Sequence, residues 1–123
     1  MPYLTDRKRA IGTGAAKSGT AHFWAMKKSS VALLILIPFF VFTFGGILGS
    51  SFEEVQAYFA RPFPAIIAVL TLIVGFKHFN DGFQVMVEDY VHGIWEKILI
   101  LGMTCISYGA AAVGVFAIAK MAF

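Results

Sequence analysis

The chain has 123 residues, 59% of them hydrophobic and 14% charged, with a formal net charge of +3. A soluble domain averages about 25% charged residues, so this composition excludes an ordinary water-soluble globule. The basic excess has no soluble surface on which to act, which excludes nucleic-acid binding and leaves membrane orientation as its meaning.

The N-terminal segment is polar and punctuated by Gly12, Gly14 and Gly19, with Ser18 and Thr20 beside them. Such a segment gains little from a core of its own and orders against partners. We expect residues 1–28 to form a polar cytoplasmic segment and residues 29–123 a transmembrane anchor. Six of the ten basic residues precede the first apolar run: Arg7, Lys8, Arg9, Lys17, Lys27 and Lys28. Beyond that run Arg61 stands against Glu53 and Glu54. The positive-inside rule therefore puts the N-terminus in the cytoplasm. Trp24 and the Lys27-Lys28 pair stand where an aromatic and basic anchor meets the membrane interface.

No charged residue occurs from Ser29 to Phe52. Roughly 20 apolar residues suffice to cross a hydrocarbon core about 30 Å thick, and the first membrane helix is expected near residues 29–50. The run starts too late and extends too far to be a secretory signal peptide. Pro38 is expected to kink it, as membrane helices tolerate. Ser50-Ser51-Phe52-Glu53-Glu54 then reads as a capping box opening a short amphipathic turn through Tyr58.

Arg61-Pro62-Phe63-Pro64 starts a second membrane helix, near residues 63–88, because proline suits a first helical turn. It is uncharged from Pro62 to Phe76 and then interrupted by Lys77, His78 and Asp81. A third helix, near residues 95–120, is anchored by Trp95 and Lys97 and carries no charge from Ile98 to Ala119. Its Gly109, Ala110, Ala111, Ala112 and Gly114 read as a close helix-packing face. The lone cysteine, Cys105, has no internal disulfide partner and reads as a small buried hydrophobe. Three crossings leave the connection around Glu88 to Lys97 cytoplasmic and the C-terminus outside.

An ionisable residue at membrane depth is expensive and signals function. At about 100° per residue, Gly75 and Gly82 lie about 60° and 40° to one side of His78. Asp89 returns to within about 20° of it. Glycines beside a histidine suit the close approach of a flat, bulky group such as a porphyrin. The competing reading is that His78 hydrogen-bonds a neighbouring helix while Lys77 and Asp81, four residues apart, pair with each other. Asp89-Tyr90 reads either as an interfacial acid beside a snorkelling tyrosine or as a site for a lipophilic redox carrier. In the second case the phenol donates to a quinone carbonyl and the carboxylate orients it or relays protons. No phosphate loop, CxxC pair or nucleophile with its base is present.

Two motifs resemble the hydrophobic membrane anchor subunit of bacterial succinate dehydrogenase, respiratory complex II. The first is Gly12-x-Gly14 followed by Lys17-Ser18-Gly19-Thr20-x-His22-x-Trp24; the second is His78-x3-Gly82 continuing to Glu88-Asp89-Tyr90-Val91. The resemblance implies an all-α integral membrane protein whose three helices form half of a haem-binding bundle with a second anchor. It also implies an iron–sulfur subunit, a flavoprotein and a location in the bacterial inner membrane. Each anchor of that family supplies one histidine to a shared haem b, and His78 matches that position. Tyr90 and Asp89 match the ubiquinone pocket, and His22 matches a histidine near the haem propionates. The family then carries an arginine about a turn later, where this chain has Lys27 and Lys28. Lysine supplies a point charge where arginine binds bidentately.

The alternatives are a small proton or ion transport subunit, lined by Lys77, His78 and Asp81, and a structural anchor without a cofactor. The topology is testable on its own. Single-cysteine labelling at Thr5→Cys should be blocked in intact cells and labelling at Glu53→Cys allowed, and the opposite pattern would overturn the orientation.

Overall fold

A computed structural model describes residues 3–15 and 19–123. Five helices follow one another: α1 (Asp6–Ile11), α2 (Ala21–Gly45), α3 (Phe52–Phe59), α4 (Pro62–Tyr90) and α5 (Ile94–Ala122). Among the described residues there is no strand, and α2, α4 and α5 are long and apolar enough to cross a membrane.

The membrane helices are those expected, with one substantial correction. The first begins at Ala21 rather than near residue 29, and it ends at Gly45 rather than near residue 50. Its 25 residues rise about 37 Å, more than the roughly 30 Å of hydrocarbon. Lys27 and Lys28 mark where charge stops being tolerated in lipid, which is not where the backbone stops being helical. At the other end the Gly45-Gly46 pair releases the helix, and the apolar Ile47 beyond it packs into the core. Between these ends α2 runs on through Pro38. The polar N-terminal region contains α1, capped by the Thr5 hydroxyl on the Lys8 amide at 3.3 Å, and none of its residues is buried.

The capping box forms as read. Ser51 Oγ accepts from the Glu54 amide at 3.4 Å, and Glu54 Oε2 accepts from the Ser51 amide at 2.8 Å. This reciprocal pair starts α3 where the chain must turn, and such a cap contributes about 1 kcal/mol. Pro62 then occupies the first turn of α4, where its missing N–H costs nothing. A short turn joins α4 to α5, and its Gly93 adopts φ 77, a left-handed conformation open to glycine.

The three long helices alternate in direction, and α4 stands between the other two, packing on α2 along one side and α5 along the other. The face that α5 offers is Ser107, Ala111, Gly114 and Ile118, at steps of four, three and four residues. Of the small residues expected to pack, Gly109 meets nothing within 4 Å and Ala112 is exposed. The small-residue run simply wraps around the helix, and only the members in this stripe are used. Cys105, expected to be buried, is exposed, because it lies off that stripe.

Opposite the α4–α5 turn, α3 lies across the bundle end and inserts Phe59, 2% exposed, against Ala68 and Ile118. Phe40, Ile47, Leu72 and Met121 complete this cluster. Elsewhere the long helices remain covered with apolar side chains facing outward, among them Leu34, Phe42, Leu101 and Phe116. That surface suits lipid and partner helices.

Among the described glycines, Gly114 on α5 packs closest to a neighbouring helix: an added Cβ would come within 2.9 Å of Leu72 Cδ1 on α4. Gly114→Ala should be mild, because the Leu72 methyl can rotate away. Gly114→Leu should cost about 1–3 kcal/mol by overpacking. Thermal denaturation of the detergent-solubilised protein checks the order; equal stabilities would show that the helices do not meet here.

Candidate functional site

Between residues 77 and 81, α4 carries four polar side chains at a depth where water is scarce. Their partners lie in three directions. The Lys77 ammonium pairs with Asp81 Oδ2 at 2.6 Å along the helix itself. Asp81 is 8% exposed and Lys77 is more open, beside a groove that includes Tyr108 and Ala111. Asn80 faces α5, where the Thr104 hydroxyl lies 3.2 Å from its Oδ1. His78 faces α2, where its Nδ1 lies 2.9 Å from Ser29 Oγ.

The two readings of His78 thus apply to its two nitrogens. Nδ1 makes the interhelical hydrogen bond. Ser29 Oγ also lies 2.9 Å from the Met26 carbonyl; in the arrangement where its single hydroxyl proton is donated there, Nδ1–H donates to Ser29 Oγ. Nε2 is then the nitrogen with a lone pair, the form in which imidazole binds a metal. On the same stripe of α4, a Cβ added at Gly75 or Gly82 would meet nothing within 4 Å. Among the described residues no group of three or more of His, Cys, Asp and Glu converges on a metal. With Nε2 free, His78 could serve as one ligand to a haem, and the glycine stripe would leave room beside it.

Ser29 is the residue that sequence reading missed. It is 6% exposed although it had been assigned to the edge of the membrane helix. Once α2 starts at Ala21, Ser29 lies seven residues, or two turns, from His22 and shares its face. That spacing was the available signal. His22 Nε2 is buried and has no partner among the described residues. The lysines diverge: Lys27 Nζ sits 5.4 Å from the centre of the Phe23 ring, a cation–π distance, and Lys28 is exposed. Neither shares the stripe of His22 and Ser29. Lys17 and Ser18 lie outside the described residues.

Because α4 remains helical to Tyr90, Asp89 lies about 16 Å along the axis from His78 and on nearly the same stripe. Tyr90 is the last helical residue and is 82% exposed, while Asp89 is also exposed. Both stand at the end that holds the start of α2 and the α4–α5 turn. An apolar cavity of about 430 Å³, lined by Phe59, Ile66, Ile118 and Phe123, lies at the other end.

Residues 1–119 match the family described as succinate dehydrogenase/fumarate reductase transmembrane subunit. The chain belongs to this family. It is 43% identical to the succinate dehydrogenase hydrophobic membrane anchor subunit of Paracoccus denitrificans, over 98% of this chain and 94% of that protein. It is 29% identical to the succinate dehydrogenase membrane anchor subunit of Reclinomonas americana, over 68% of this chain and 72% of that protein. No solved structure matches. As a membrane anchor subunit of succinate dehydrogenase, the chain works within a larger complex. The Lys77–Asp81 pair, which motivated a transport alternative, is closed at 2.6 Å with each charge neutralised by the other.

That pair generates a test of its own. Lys77→Met leaves the Asp81 carboxylate buried without its cation and should cost about 3 kcal/mol. Lys77→Met with Asp81→Leu removes both charges and should recover most of the loss. Thermal midpoints of the purified complex measure the cycle, and an equal loss in single and double variants would mean the pair is not an isolated unit.

Proposed function

We propose that this anchor binds one face of a haem b through His78 and completes a ubiquinone site with Tyr90 and Asp89. The observation that carries the reading is the His78 ring, tied at Nδ1 to Ser29, on a stripe of α4 where a Cβ added at Gly75 or Gly82 would meet nothing within 4 Å. A second anchor subunit would supply the haem's other protein ligand. The iron–sulfur and flavoprotein subunits dock at the cytoplasmic face of the bacterial inner membrane, where the basic N-terminal flank lies. A bound haem b supplies a one-electron store within the hydrocarbon.

The protein's own residues do the rest. His78 would hold the haem iron, and Gly75 and Gly82 would leave room for the porphyrin. His22, its Nε2 buried and without a partner among the described residues, would donate toward the propionates. Lys28 supplies positive charge at the same end, while Lys27 is drawn toward Phe23. Tyr90 donates its phenolic proton in a hydrogen bond to a quinone carbonyl. Asp89, one residue before it at the water interface, orients that contact and passes protons inward. The quinone head so held lies about 16 Å nearer the surface than His78, within reach of a soluble electron donor and of water. Succinate chemistry stays with the flavoprotein, and this chain contributes to quinone reduction.

Tyr90→Phe removes one hydroxyl, and a lost hydrogen bond of about 1 kcal/mol predicts a five- to tenfold fall in quinone reduction. Asp89→Asn should lower the same activity. Succinate oxidation with a soluble artificial acceptor should persist in both. Unchanged quinone reduction in the two variants would remove them from the site, and a parallel loss of both activities would assign them to assembly. His78→Ala should abolish the low-spin haem spectrum of the complex.

A further inference from the structure

The described contacts leave the role of one buried hydroxyl unassigned. Ser29 lies on α2, His78 on α4, and their 2.9 Å contact is the link by which α2 controls the candidate ligand. We infer that Ser29 is a positioning residue that fixes the tautomer and orientation of His78 and lowers the reduction potential of the iron bound to it. The inference rests on the haem reading above.

Two proton arrangements are possible at this contact. If Ser29 donated to Nδ1, the ring proton would sit on Nε2, and the nitrogen facing the open side would have no lone pair for a metal. In the other arrangement Ser29 donates to the Met26 carbonyl, which the Ser30 hydroxyl also reaches at 2.9 Å, and accepts from Nδ1–H. This second arrangement pairs the hydroxyl proton, the hydroxyl oxygen and the ring N–H together, and it frees Nε2. An Nδ1–H that is held by an acceptor makes the imidazole a stronger electron donor through Nε2. A stronger donor favours the ferric state, so the hydrogen bond lowers the potential. Ser29 is also nearly sealed, at 6% exposed, so water is poorly placed to substitute for the hydroxyl if it is removed. The geometry is anchored at both ends: Ser29 by its bond within α2, and His78 by the α4 backbone between the Lys77–Asp81 pair and the Asn80–Thr104 contact.

The test uses the intact complex carrying Ser29→Ala, Ser29→Cys, Ser29→Thr and, in parallel, His78→Ala. Redox titration of the haem absorbance should show Ser29→Ala raised by about tenfold in the ferric–ferrous equilibrium, which is 59 mV for one electron. Haem retention should weaken by about tenfold as well. Ser29→Cys is nearly isosteric and offers only a weak acceptor, so it should shift the potential part of the way in the same direction. Ser29→Thr keeps the hydroxyl and should restore the original potential and low-spin electron paramagnetic resonance signal. Should Ser29→Ala fail to assemble, the Cys and Thr variants carry the same comparison. Wild-type potentials in Ser29→Ala and Ser29→Cys would overturn the inference, as would a Thr variant shifted as far as the Ala variant. A haem spectrum that survives His78→Ala would instead overturn the ligand assignment, and the two failures are thus told apart.

Discussion

Hydrocarbon supplies no hydrogen bonds, so every polar group that α4 carries into the membrane must be satisfied by protein. Residues 77–81 meet that constraint in three directions at once. Lys77 and Asp81 close on each other along the helix, Asn80 meets Thr104 on α5, and His78 meets Ser29 on α2. Interhelical hydrogen bonds in membranes contribute only about 0.6 kcal/mol each, so these contacts add little to stability. Their larger effect is on register. A shift of α2 or α5 by one residue would turn Ser29 or Thr104 away and leave a polar group against lipid. The polar segment thereby sets how the apolar helices align, which the uniform apolar surfaces around it do not.

The fold was legible wherever its cause was local. Hydrophobic runs announced three crossings, Ser51 and Glu54 announced α3 by their three-residue spacing, and Lys77 and Asp81 announced their pairing by a four-residue one. Partners on different helices were not legible. Ser29 and His78 are 49 residues apart, and nothing in either neighbourhood specifies the other. The start of α2 was hidden for a different reason. Charge patterning reports the edge of the hydrocarbon, and a helix continues past that edge at no penalty. Misplacing that start moved Ser29 from the third turn of a helix to its first residue, and its shared face with His22 vanished with the error. Likewise Gly109 and Ala112 have the composition of a packing face, but the stripe through Ser107, Ala111, Gly114 and Ile118 is the one that α4 occupies.

The two ends of the bundle are built differently, and the difference bears on function. At one end α3 closes over Phe59, Ala68 and Ile118, with Phe44 and Phe59 6.0 Å apart, so aromatic packing joins elements across the bundle. At the other end the exposed Asp89 and Tyr90 have no such cover, and His22 keeps a buried nitrogen without a partner among the described residues. A closed end resists change and holds the helices at fixed separation. An open end with unmet polar groups is where other subunits and ligands add interactions without first displacing any.

The depth of His78 follows from the same asymmetry. It lies 12 residues before the end of α4, about 18 Å from the open end, whereas Phe59 and its neighbours fill the far end. Ser29, which meets His78 from α2, follows directly on the exposed Lys28, so His78 lies near the hydrocarbon edge that the lysines mark. In this chain the contact that touches His78 Nδ1 is one serine hydroxyl, already held by its own helix. The Lys77–Asp81 pair stands within a turn of His78, its members neutralising each other. A helix that must carry a histidine into lipid needs a partner for its second nitrogen in any case. By drawing that partner from α2, the bundle makes the same bond serve helix alignment and the orientation of the histidine.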